Sequence, residues 1–201
     1  MSEVDETPVA NDDDMLSALV TSIDPALSYP RDLHPAGTTC RTLLVEDEGA
    51  RRLLKVRRLS QNLWDDSYFH LEIHALRREE ERKLSNITQL VHEYVNDTHH
   101  AILKSYAEGT PANTLDHAAL LLNPDFIAKL DALYLKLHLA GVAKVNYLPR
   151  KLVIADDGEL ILVDLSTCVV NTEVGVLRFV QEMRADSRFV TQLEKKAKRA
   201  A

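Results

Sequence analysis

The sequence predicts an α+β protein in two lobes, the first rich in strands and the second in helices. Three observations carry that prediction. β-prone runs joined by tight turns dominate the first half; a long helical segment runs from Pro124 to Gly141; and Gly109, Thr110 and Pro111 break the chain in between. The expected organisation is an acidic, disordered tail over 1–14, a β-rich first lobe with one long helix over 15–106, and a shorter helical lobe over 107–201, hinged near 105–113.

"DDMLSALVTSI" reads as a short helix with an acidic start, ended by Pro25 and Pro30. A turn at Gly37 follows. "RTLLVE" and "RRLLKVRR" flank "DEGA", which predicts a β-hairpin. Residues 64–84 are expected to be helical, because Phe69, Ile73 and Leu76 share a face at i, i+3, i+4 spacing, with Leu84 a further candidate. "ITQLVHEYVND" and "HAILKSYAEG" predict a second hairpin turning at "NDTH". Residues 116–122 read as a short helix. Residues 124–140 read as a long one, with Pro124 near its start and Gly141 as its C-cap. "KLVIA" and "ELILVD" pair around "DDG", and one or two helices are expected from 172 onward.

Bulk composition narrows the function classes. The formal net charge is −7 over 201 residues, which disfavours a nucleic-acid surface that tracks phosphates. The basic runs 50–58, 76–83 and 195–200 are read as solvated faces. Cys40 and Cys168 lack metal-type spacing and are read as reduced, at least half-buried thiols. The acidic, polar start is unlike a signal peptide, and no apolar run reaches the ~18 residues of a membrane span. A cytoplasmic protein is expected, with a peripheral role at the inner-membrane face left open.

Five landmarks in order resemble the protein-kinase-like fold, most closely that of small bacterial lipopolysaccharide kinases and their relatives, over roughly residues 35–170. They are Lys55 in "LLKV", Glu72 in "FHLEIHAL", the stretch "LKSYAEGTP", the helix end "LYLKLHLAGV", and Asp164 in "ELILVDLST". The resemblance implies a minimal two-lobed kinase-like fold with a truncated helical C-lobe, and ATP and Mg²⁺ as cofactors. It implies that Lys55 holds nucleotide phosphates and that Glu72 holds Lys55. It implies that the backbone at Tyr106 and Ala107 meets the adenine edge, and that Asp164 binds the metal. Glu72 also stands out without it: it interrupts an apolar helix face, and a buried carboxylate needs a nearby cation. Asp164 is open to a second reading as a turn or helix-cap aspartate, and Lys55 to one as an outward strand lysine. His138, in the fourth landmark, is read as a packing or hydrogen-bonding histidine.

The catalytic loop departs from the family pattern. Asn146 stands where a proton-accepting aspartate is usual, and Lys151 where a second metal-binding asparagine is usual. An amide orients a hydroxyl but takes no proton at neutral pH. An ammonium binds no metal, but its charge can sit where a metal would and meet a phosphate. The glycine-rich loop is also thin, with Gly37 alone in "AGTTCRTLLVE". Two functions follow as expectations. One is an ATP- and Mg²⁺-dependent phosphotransferase acting on a sugar or lipopolysaccharide-type hydroxyl, with Asn146 placing the acceptor and Lys151 neutralising charge. The other is a pseudokinase: a nucleotide-sensing or interaction module with a protein partner and no transfer.

Overall fold

The structure, a computed structural model, describes residues 12–33, 40–58, 63–82, 84–143 and 149–200. It divides into two compact units, Met1–Leu59 with Val91–Lys104, and Ser60–Leu90 with Ser105–Ala201. Both contain helices and antiparallel strands, so the chain is α+β. The expected turn at Gly37 lies outside the described residues.

The first unit packs helix α1 (Asp12–Ile23) against a sheet. The helix begins inside the acidic stretch 1–14. The strands are β1 (Ser28–Asp32), β2 (Arg41–Asp47), β3 (Ala50–Arg58), β4 (Leu90–Val95) and β5 (His99–Ser105), in the order β1-β2-β3-β5-β4. Glu48 and Gly49 both take positive φ, 48° and 81°, as a two-residue β2–β3 turn requires. At the β4–β5 turn the Asn96 carboxamide oxygen accepts from the Thr98 and His99 backbone N–H groups. Strand alternation places Leu43, Val45, Leu54, Val56, Ala101 and Leu103 on one face, packed with Leu16, Val20 and Leu27. Each large side chain fully buried there is worth about 1.5–3 kcal/mol.

The basic run 50–58 is only partly the solvated face expected of it. Arg51 is exposed, but Lys55 and Arg57 are 8% and 2% exposed. The two-residue period of a strand sends them to the face opposite Leu54 and Val56, and neither is without a partner.

The second unit begins with α2 (Leu63–Arg82), the helix that the sequence grouped with the strands around it. Phe69, Ile73 and Leu76 are buried on one face, as their spacing predicts, while Leu84 lies past the helix end and is half-buried. Then come β6 (Thr110–Pro111), α3 (His117–Leu122), α4 (Pro124–Ala140), β7 (Val142–Ala143), β8 (Leu152–Ile154), β9 (Leu160–Leu162), β10 (Val169–Val170), α5 (Asn171–Val174) and α6 (Val176–Ala200).

Helix α4 has the bounds its caps dictate. The Asn123 side chain accepts from the Asp125 and Phe126 N–H groups at 2.9 and 3.3 Å, and Pro124 occupies the first turn. Gly141 ends the helix at φ 88°, in the left-handed region. Its inner face buries Phe126, Ile127, Leu130, Leu133, Tyr134 and Leu137, and the helix packs on α6. His138 Nε2 lies 2.9 Å from Asp186 Oδ2 on α6, both nearly buried, which makes it a hydrogen-bonding histidine.

Two small sheets position the site. One has the order β6-β8-β9, the other pairs β7 with β10. The second joins Val142 to Val170 and Ala143 to Val169, so the loop leaving α4 and the segment after β9 are held side by side. The free edge of β9 is covered by residues 86–88. Leu162 N–H donates to Asn86 O at 2.9 Å, and Thr88 N–H donates to Leu162 O at 3.1 Å.

Candidate functional site

Burial exposes the chemistry of the second unit. A charged group inside a protein persists only with a counter-charge or strong hydrogen bonds. Glu72 and Lys151 are 0% and 3% exposed.

Lys151 ends a 3-10 turn, Pro149–Lys151, just before β8. Its Nζ donates to Thr167 Oγ1 at 2.7 Å and lies 3.9 Å from Asp164 Oδ2. Its carbonyl accepts from Val163 N–H at 2.8 Å, which ties the start of one strand to the end of the other. The side chain therefore crosses the β8–β9 hairpin toward the turn that follows it.

Asp164 lies two residues past β9, in that turn, and its side chain is 31% exposed. Its two oxygens do different work. Oδ1 accepts from the Ser166 N–H at 2.8 Å, which is the turn role; Oδ2 faces the Lys151 ammonium. The first contact is the turn role that the sequence offered as a second reading; the second sets an ammonium beside the remaining oxygen.

Cys168 joins these groups. It is 1% exposed, and its Sγ lies 3.9 Å from the Leu71 carbonyl on α2. Burial pushes its thiol well above the ordinary value of 9.0. The Glu72 carboxylate adds to that, the Lys151 ammonium works against it, and Asp164 raises it further. Both cysteines are free thiols.

A prediction follows from the raised thiol. In the unfolded chain it ionises from about 9.0 upward, whereas in the folded chain it stays protonated. The unfolded state therefore loses this proton first, and stability falls as pH rises past 9.0. A thiol reagent at about pH 8 should leave Cys168 unmodified in the native chain and modify it after unfolding. Peptide mapping of the labelled chain reads this directly, and rapid native labelling of Cys168 would contradict the buried placement.

The other expected site residues fall elsewhere. Lys55 is on β3 in the first unit, and Glu72 on α2 in the second. Asn146, expected to place an acceptor hydroxyl, lies outside the described residues. Tyr106 and Ala107 line a cavity of about 520 Å³ whose walls all belong to the second unit. Neither Asp164 nor Lys151 lines it.

The resemblance implies Mg²⁺ on Asp164 and on the side chain at position 151. The lysine there places a fixed positive charge 3.9 Å from one carboxylate oxygen, and the other oxygen already holds a backbone N–H. Charge repulsion makes this donor set a poor one for a divalent cation. Sequence reasoning missed Thr167, the hydroxyl that fixes the ammonium, and did not connect Cys168 with the charges around it. No pattern flags either, because their roles arise only when the hairpin folds.

The class defined by this arrangement is an α+β protein whose second unit sets a buried lysine against Thr167 and Asp164 and holds a buried thiol at Cys168. No family model matches the chain, and no curated protein matches it.

Proposed function

We propose that this chain is a kinase-like protein of the pseudokinase type. It binds a nucleotide, or a partner protein, through a site whose metal-binding aspartate is neutralised by a built-in lysine, and it carries out no efficient phosphoryl transfer. The observation that carries the reading is the Lys151 ammonium, buried and directed at Thr167 Oγ1 and Asp164 Oδ2.

The physical reasoning has two parts. Phosphoryl transfer rests on positioning and charge neutralisation around the transferred group. A lysine tethered to the fold supplies part of that neutralisation permanently, without the octahedral shell and exchangeable waters of Mg²⁺. The loop also replaces the proton-accepting aspartate with Asn146, and a lost general base removes ~10²–10⁴ in rate. Phosphate recognition therefore survives such a site better than turnover does. On this reading Lys55 is a further phosphate-binding cation, and Tyr106 and Ala107 contribute backbone to the adenine edge.

A second reading, ATP- and Mg²⁺-dependent transfer to a sugar or lipopolysaccharide-type hydroxyl, draws on the exposed third of Asp164. Two assays separate the readings. Melting of the full chain is followed with ATP in EDTA and in Mg²⁺, because a ligand raises Tm by mass action. Transfer from radiolabelled ATP to sugar and lipid acceptors is then compared with an Asp164→Ala control. The pseudokinase reading expects a similar Tm rise under both conditions and no transfer above the control. Mg²⁺-dependent transfer that Asp164→Ala abolishes would replace it with the transferase.

Among the described residues no helix is long and apolar enough to cross a membrane.

A further inference from the structure

Helix α6 buries one side. Phe179, Asp186, Val190, Leu193 and Ala197 are buried, and at 3.6 residues per turn they fall within an arc of about 60°.

The opposite side is basic. Arg184, Arg188, Lys195 and Arg199 are all exposed, and the same spacing sets them in a second arc of about 60°, centred on the far side of the helix. Arg178, Lys196 and Lys198, also exposed, flank this stripe, whereas Glu182, Asp186 and Glu194 fall outside the outward half. Among the described residues no acid pairs with any of these cations. The Arg188 Nε donates to the Arg184 carbonyl one turn back, at 3.2 Å. Cations in a last turn suit the helix dipole, which accounts for Lys198 and Arg199. It does not account for Arg184 and Arg188, about three to four turns from the helix end.

Two large apolar residues begin the same helix in the open. Val176 and Leu177 are 77% and 76% exposed. Leu177 precedes Arg184 by about two turns and so heads the basic stripe, which runs about 33 Å from Leu177 to Arg199.

We infer that the outward face of α6 is a docking surface for an anionic lipid membrane. The cations lie over the headgroups, and Leu177, with Val176 beside it, enters the boundary with the acyl chains. Leucine and valine meet nothing apolar on a phosphate backbone, which sets a lipid surface above a nucleic acid. The net charge of −7 does not oppose the contact, because acids beyond about 8 Å are screened at physiological salt and the stripe itself carries none.

The test is flotation of the full chain with vesicles of phosphatidylcholine alone and of phosphatidylcholine with about 30% phosphatidylglycerol. The chain should float with the second and not the first, and should be released as salt rises to about 0.5 M. Each cation near an anionic leaflet is worth about fivefold in partitioning, so Arg188→Gln with Lys195→Gln should weaken binding about 25-fold. Arg51→Gln with Arg82→Gln removes the same charge from exposed positions outside α6 and should change binding by no more than about twofold. Leu177→Asn should weaken it about threefold or more. All these positions are exposed, so each variant should melt with the parent. The inference is overturned if neither vesicle binds, if both bind alike, or if any α6 variant floats like the parent. It is also overturned if a DNA duplex or polyglutamate binds more tightly than the anionic vesicles, the result expected of a nucleic-acid or acidic-protein partner.

Discussion

Lys151→Met should lower the stability of the chain by about 1–3 kcal/mol, a fall of roughly 3–10 °C in Tm for a chain of this size. Methionine keeps the length and apolar volume of the stem and removes the charge. Two groups then lose their partner. Thr167 Oγ1 loses a donor at 2.7 Å, and Asp164 Oδ2 loses a cation at 3.9 Å. Breaking a fully buried pair costs more, about 3–5 kcal/mol, but the Asp164 side chain is 31% exposed and water screens part of the loss. A double-mutant cycle isolates the charge term. Asp164→Asn keeps an acceptor for the Ser166 N–H and removes the negative charge. In that background Lys151→Met should cost about 1 kcal/mol less than in the parent. Urea unfolding of the four proteins measures it. Strictly additive costs would mean that the two side chains do not feel each other, and the proposed neutralisation of Asp164 would have no basis.

Gly109→Ala should be more damaging still, by about 2–5 kcal/mol. Gly109 has φ +135°, and a Cβ there would sit 2.3 Å from Ile154 O and 2.9 Å from Ala155 Cα. These are backbone atoms at and just past the end of β8, the strand that β6 pairs with through Thr110 with Ile154 and Pro111 with Val153. No rotamer change relieves the clash, so β6 must leave β8 or the hairpin must move. Lys151 and Asp164 flank the open end of the same β8–β9 hairpin, so the substitution should disturb their pairing as well as the fold. Gly49→Ala is the control. It too has positive φ, +81°, but nothing lies within 4 Å of the added carbon. Only the left-handed backbone penalty remains there, about 1–2 kcal/mol. Equal costs at the two glycines would show that crowding against Ile154 is not real.

These two positions also show what a sequence reveals and what it hides. The long helix α4 was legible to the residue because Pro124 and Gly141 each act locally, whereas the Asn123 cap was not read from the sequence. The β2–β3 hairpin was legible because its turn needs positive φ at two adjacent residues and "DEGA" offers a glycine for one of them. Strand β1 was not, since "SYPRD" has no alternation and forms by pairing with β2 through an irregular register. The two-residue strands β7 and β10 carry no periodicity at all; tertiary pairing alone defines them. The tail was read as one or two helices from 172 onward, and Gly175 divides α5 from α6.

The site follows the same rule. That Glu72 interrupts an apolar face was visible, and it is fully buried. That Lys151 replaces a metal-binding residue type came from the resemblance, whereas its burial and its hydroxyl partner sixteen residues on came from the folded hairpin. Asp164 was expected at the end of a strand and stands in the turn after it, because β9 stops at Leu162.

The most direct measurement is a calorimetric titration of ATP into the full chain, once in EDTA and once in excess Mg²⁺. A lysine that replaces the metal predicts dissociation constants within about threefold of each other, a difference under roughly 1 kcal/mol. An affinity that rises on the order of tenfold or more with Mg²⁺ would place the metal back on Asp164 and contradict the role assigned to Lys151.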